Sequence, residues 1–117
     1  MKTILVIILV LIPSVAMSWD TQDTYYQSAV ITALLIDMGQ TLHIADNPDK
    51  YYERNPLLGK HPSKEKVVGY FMGGIVAHTL IAMALPQDYR RVWQCVWIGI
   101  EGAVIYNNYN IGVKLEF

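Results

Sequence analysis

The chain has 117 residues, 53% hydrophobic and 16% charged, with a formal net charge of −1 and one cysteine. That length holds one domain; the near-neutral charge supplies no basic surface for nucleic acid, and a lone thiol excludes an intramolecular disulfide. Globular chains carry about 25% charged residues and a small domain needs a generous polar surface, so the shortage points to lipid as part of the solvent.

The first element is a basic start at Lys2, an apolar run from Thr3 to Ile12, the helix breaker Pro13, and small residues at Ala16 and Ser18. These are the three parts of a secretory signal, and the apolar run is shorter than the roughly 20 residues of a full span. The expected division is a signal peptide over 1–18, cleaved after Ser18, and a helical domain over 19–117; an uncleaved anchor is the rival.

Three helical segments follow. The first runs from about Thr24 to Ala45, apolar through its core and closed by Asp46-Asn47-Pro48-Asp49, because the residue before a proline is pushed out of the helical region. A polar connection from Lys50 to Lys64 contains Asn55-Pro56, Gly59 and His61-Pro62 as breakers. Ser63 stands where an N-cap belongs, with Lys66 where a capping box would place Glu. The second segment, Val67 to Leu85, has 19 residues without a formal charge, which meets the length of a membrane span. Pro86 to Arg91 reads as a short turn, so segments two and three are expected as antiparallel neighbours. The third segment, Val92 to Tyr106, carries one charge, Glu101, and Asn107-Asn108 closes it. Cys95, in an apolar run, reads as a small buried residue. In the tail, Tyr109, Ile111, Val113, Leu115 and Phe117 alternate as in a strand. One strand cannot close a barrel in lipid, so the tail is expected to be an edge strand or an extended arm.

Charge gives an orientation. With the mature start outside, the connection bearing Lys50, Arg54, Lys60, Lys64 and Lys66 is cytoplasmic and only Arg90 and Arg91 lie outside, as the positive-inside tendency requires. Tyr25, Tyr26, Tyr51, Tyr52, Tyr70, Tyr89, Trp93 and Tyr106 fall near span ends, where an aromatic belt would sit. Segment one contains Asp37, Gln40 and His43, which also suits a soluble or interfacial helix.

Ionisable groups within apolar segments are costly and face protein interiors. At about 1.5 Å per residue, Asp37 and Glu101 lie roughly 10 Å from the inner ends of their helices and His78 roughly 15 Å. One layer holding Asp37, His78 and Glu101 is a candidate acid–base site, or a seat for a divalent metal with open positions. The same residues also make sense as a structural polar network. Gly69, Gly73 and Ala77 form a small-xxx-small stripe for close helix approach, either between chains or onto Gly99 and Gly102 of the same chain. In the connection, Glu53, Arg54, Asn55, Lys60 and His61 are candidates for a substrate or lipid headgroup; an ordered turn in which Asn55 bonds its own backbone is the alternative.

Asp37-Met38-Gly39-Gln40-Thr41, then Glu53-Arg54-Asn55-Pro56-Leu57, then two apolar helices resemble small bacterial and phage families of uncharacterised helical membrane proteins. Those families share an Asp-x-x-x-Thr helix end and a Glu-x-Asn-Pro loop. The resemblance covers about Val30 to Tyr106 and implies a multi-helix membrane fold with no established activity; the Phe-terminated tail departs from it.

The expectation is an all-α protein, a signal peptide followed by a three-helix membrane bundle with a short extended C-terminal tail. It would reside in the bacterial envelope, with the inner membrane favoured over the outer membrane or periplasm. Its partners would be the lipid bilayer and another envelope protein or further copies of itself. No GxSxG elbow, P-loop or HExxH pair is present, so no cofactor is expected. A protein acting through helix contacts ranks ahead of a membrane-embedded hydrolase or transferase, and ahead of a soluble exported helical domain.

Overall fold

The computed structural model describes residues 19–117, so the expected signal segment over 1–18 lies outside the described residues. The described chain is all-helical: α1 spans Thr21–Asp46, α2 Lys64–Ala84 and α3 Gln87–Asn110.

Helix ends follow from local chemistry. Helix α1 starts a turn earlier than its apolar core suggests, because Asp20 and Asp23 form a reciprocal capping box: Asp23 N donates to Asp20 Oδ1 at 2.8 Å and Asp20 N to Asp23 Oδ2 at 3.0 Å. These bonds satisfy donors that the first turn leaves free. At the other end Asn47 donates through Nδ2 to the His43 carbonyl at 2.8 Å, and Pro48 prevents continuation. Ser63 caps α2 as expected, accepting from Lys66 N at 3.2 Å. The expected turn over Pro86–Arg91 is shorter: α3 begins at Gln87, and Arg90 N already donates to the Pro86 carbonyl at 2.8 Å. Nor does Asn107-Asn108 close α3. The helix runs to Asn110 and ends in a Schellman motif: Val113 N donates to the Asn108 carbonyl, Gly112 N to the Tyr109 carbonyl, and Gly112 has φ +90°. Only glycine takes that left-handed position at low cost.

The tail makes no strand among the described residues. It turns back along α1 as an extended arm, with Val113 buried against Ile44 and Tyr51. Glu116 N donates to the Gly39 carbonyl at 3.0 Å, and the Phe117 ring covers Gly39.

Helix α1 is the spine. It packs on both α2 and α3, whereas α2 and α3 touch each other little. Their contact includes His78 stacked on Trp93 near the shared turn. The apolar core holds Val30, Leu34, Met38, Leu42, Leu58, Val67 and Phe71. Of the described helices, α1 and α2 are long and apolar enough to cross a membrane; α3 is not among them. It falls short because Arg90, Gln94, Glu101 and Asn108 dilute its apolar content, and all four face inward.

Cys95 is exposed, contrary to expectation. It lies between the inward positions Gln94 and Trp97 and so takes the outer face. The glycine stripe does not pack within the chain either. A Cβ added at Gly69, Gly73, Gly99 or Gly102 would meet open space, so Gly99 and Gly102 do not receive Gly69, Gly73 and Ala77.

Candidate functional site

Because α2 and α3 diverge from their turn, a cavity of about 760 Å³ opens between them with α1 as its floor. Asp37, His78 and Glu101 all line it, and Glu53, Arg54 and Asn55 line it from the connecting loop. The three ionisable residues are buried, but they divide into two groups.

Asp37 and Glu101 face each other within hydrogen-bonding reach, and Thr41 Oγ1 donates to Asp37 Oδ1 at 3.3 Å. Residues 37 and 41 share a face of α1, so Thr41 sits one turn on from the carboxylate it serves. Two carboxyl groups can hydrogen-bond only with a proton between them, since an ionised carboxylate has no hydrogen to donate. Of the three residues expected in one layer, the fold brings these two carboxyl groups together.

His78 belongs to a second network. Its Nδ1 lies 3.0 Å from Gln27 Nε2, and its ring stacks on Trp93 at 4.8 Å and meets Trp97 edge-on at 6.0 Å. Gln27 and Asp37 are ten residues apart on α1, about 15 Å of helix. His78 therefore shares the cavity with the carboxyl pair and finds its own partners elsewhere. Among the described residues no group of three or more His, Cys, Asp or Glu side chains is arranged to hold a metal ion.

The loop is an ordered turn. Glu53 Oε1 accepts from the amides of Arg54 and Asn55, Asn55 Oδ1 accepts from Leu57 N, and Asn55 Nδ2 donates to Tyr70 Oη at 2.8 Å. Gly59, at φ +82°, supplies the left-handed residue, and Leu58 plugs into the core. Arg54 and Lys60 border a shallow hollow of about 330 Å³ beside the cavity mouth, and His61 is exposed.

The far end of the molecule carries a network that hydropathy alone does not reveal. Arg90 is fully buried. Its Nη1 donates to Asp23 Oδ2 and its Nε to the Ala82 carbonyl, both at 2.7 Å, and Nη2 reaches the Leu85 carbonyl at 3.1 Å. Arg91 Nη2 bonds the other Asp23 oxygen at 3.0 Å. Gln94 and Gln27 continue the network inward, while Gln40 and Asn108 clamp α1 to α3 at the opposite end. These residues do carry a sequence signal. Asp23, Gln27, Val30, Leu34, Asp37 and Thr41 follow 3- and 4-residue steps, as do Arg90, Gln94, Trp97, Glu101, Ile105 and Asn108. That is the spacing of one helix face, here holding polar residues.

No protein-family model, characterised protein or solved structure matches this chain.

Proposed function

We propose that this chain is a small helical membrane protein of the cell envelope that acts by binding, through its cavity and the outer faces of α2 and α3. One observation carries the reading: many polar residues lie buried beside the apolar core, while large apolar residues stand exposed on the outer faces of α2 and α3. Asp23, Gln27, Gln40, Arg90, Gln94 and Glu101 are buried, while Val68, Met72, Val76, Leu80, Val92 and Val96 are exposed. Water favours the reverse arrangement. A bilayer accepts this one, because lipid solvates the apolar shell and each inward polar group needs a protein partner. The helices, at 26, 21 and 24 residues, measure roughly 32–39 Å, enough for a hydrocarbon layer of about 30 Å. The open Gly69–Gly73–Ala77 stripe supports contact with another helix, from a second copy or another envelope protein.

The Asp37–Glu101 pair favours a second reading, a membrane-embedded hydrolase or transferase. It ranks lower because no recognised catalytic motif accompanies the pair and no Ser or Cys lines the cavity among the described residues.

Membrane fractions from cells expressing the full chain, washed in alkaline carbonate, test the proposal. The protein should remain in the pellet and dissolve only in detergent. Quantitative release into the wash would overturn the membrane reading in favour of a soluble exported helical domain.

A further inference from the structure

Helices α1 and α3 run in parallel, and polar bridges join them like rungs along their seam. Asp23 meets Arg90 and Arg91 at the turn end. Gln27 then meets Gln94 at 3.2 Å, and Asp37 meets Glu101. Last, Gln40 meets the Ile105 carbonyl at 3.2 Å and Asn108 at 3.1 Å.

These rungs answer pH differently. The amides of Gln27, Gln40, Gln94 and Asn108 neither gain nor lose a proton between mild acid and mild alkali. Arg90 and Arg91 stay charged throughout, so the Asp23 rung weakens only in acid, where its carboxylate is neutralised. Among the described residues of the seam, Asp37 and Glu101 alone join acid to acid. Their rung holds while one proton lies between the carboxyl groups, and it has no donor once that proton has gone. Two carboxylates left in contact then repel. The residues are 7% and 5% exposed, so little water screens that repulsion. Thr41 still donates to Asp37, but Glu101 Oε2 has no partner to hold it in place.

The neighbouring titratable and charged groups are occupied elsewhere or lie in solvent. From α2, His78 is turned to Gln27 and Tyr70 to Asn55. From the loop, Glu53 spends Oε1 on two amides, Tyr52 is exposed, and Arg54 is exposed at the cavity mouth, where solvent screens it. On α1 itself, His43 and Asp46 face Glu116 of the tail and Lys64. On α3, Cys95 and Tyr106 are exposed.

We propose that the Asp37–Glu101 pair is a proton-operated latch on the α1–α3 seam. With the shared proton in place, the two helices stay joined along the cavity. When a carboxyl O–H gives that proton to water, the helices part between the Gln27–Gln94 and Gln40–Asn108 rungs, which remain. The closed seam holds one proton more than the open one, so it loses stability as pH rises. Asp37, Thr41 and Glu101 line the cavity, so its shape follows the latch. The latch makes pH the regulator of the cavity, and it rests on the binding reading for what that cavity does.

Hydrogen–deuterium exchange of the α3 amides from Ile98 to Ile105 tests the latch, on the full chain in detergent micelles and corrected for intrinsic base catalysis. The series runs over about pH 6–10, above the ordinary carboxylate range. In the unmodified protein the corrected opening should rise with pH by up to about tenfold per unit, the slope of a single proton, and should reverse on return to the starting pH. Glu101→Gln gives Asp37 an amide donor that alkali does not remove, so its profile should stay flat. Asp37→Asn repeats the test from the other helix, and circular dichroism confirms that each variant folds. A flat profile in the unmodified protein would overturn the latch whether or not either variant folds. So would a folded Glu101→Gln chain that opens with the same pH dependence as the unmodified protein. The carbonate wash reads the membrane proposal separately: a chain retained in the pellet but indifferent to pH loses the latch alone, and one released into the wash whose seam still opens with pH loses the membrane reading alone.

Discussion

Arg90 does three jobs from one side chain. The last turn of α2 leaves carbonyl oxygens without helical partners, and the guanidinium takes those of Ala82 and Leu85. Its remaining reach goes to Asp23 at the start of α1, so one planar fork ties three helix ends together. Trp19 lies over the same guanidinium at 4.8 Å. Replacing Arg90 takes the fully buried cation from Asp23 and leaves two carbonyls without their donor. Arg90→Ala is expected to lower stability by on the order of 3–5 kcal/mol, the cost of breaking a buried ion pair. Arg91 bonds the same Asp23 from a quarter-exposed position. Arg91→Ala should therefore cost about 1 kcal/mol or less, as solvent-screened pairs do. Thermal unfolding of both variants in detergent, followed by circular dichroism, checks the ranking. Equal losses would mean that charge near Asp23 matters and the fork does not.

At the scale of elements, Gly39 shows how a single position couples a helix to the tail. A Cβ there would lie 2.5 Å from Phe117 Cζ, closer than side chains approach. Phe117 is 78% exposed, so the ring is free to swing away. Glycine inside a helix costs about 1 kcal/mol relative to alanine. Gly39→Ala should therefore leave thermal stability unchanged or slightly raised while it releases the tail. Faster amide exchange at Glu116, which bonds the Gly39 carbonyl, would report the release; unchanged exchange would show that the ring does not hold the arm. The three helices and the Ser63 cap were legible because apolar runs, prolines and caps are local signals. Asp23 was not, because it precedes the apolar run that defines α1. The tail misled for a physical reason: alternation at Tyr109, Ile111 and Val113 mimics a strand, yet Gly112 breaks the pattern with a left-handed turn and no second strand lies among the described residues to pair with it. Asp37 and Glu101 were found as charges out of place, whereas Gln27, Gln94 and Asn108 carry no charge and appear only when polar residues are read at helical spacing. His78 parts from the carboxyl pair because it meets Gln27, ten residues before Asp37 on α1, and that register between helices is not encoded in depth counted along each helix alone.

For the molecule as a whole, the question is which solvent this arrangement is built for, and exposed apolar positions answer it most directly. Val76 lies near the middle of α2 and Val96 near the middle of α3, and both are exposed. In a soluble protein, arginine at such sites changes stability by about 0.5 kcal/mol or less and improves solubility. At the centre of a membrane helix the same change costs about 2.5–3.5 kcal/mol of insertion. The two solvents therefore predict opposite behaviour from identical substitutions. Val76→Arg and Val96→Arg are each expected to reduce the fraction retained after carbonate washing, and the double variant to reduce it further, because the sites lie on different helices and share no partner. Gln94→Leu is the control from the interior. It leaves the surface untouched and removes the donor to the Asp23 carbonyl and Gln27, so it should lower thermal stability without impairing insertion. Folded, monomeric Val76→Arg/Val96→Arg protein recovered from the aqueous fraction, with helicity unchanged and the unmodified chain equally soluble, would rule out lipid as the solvent of the outer face.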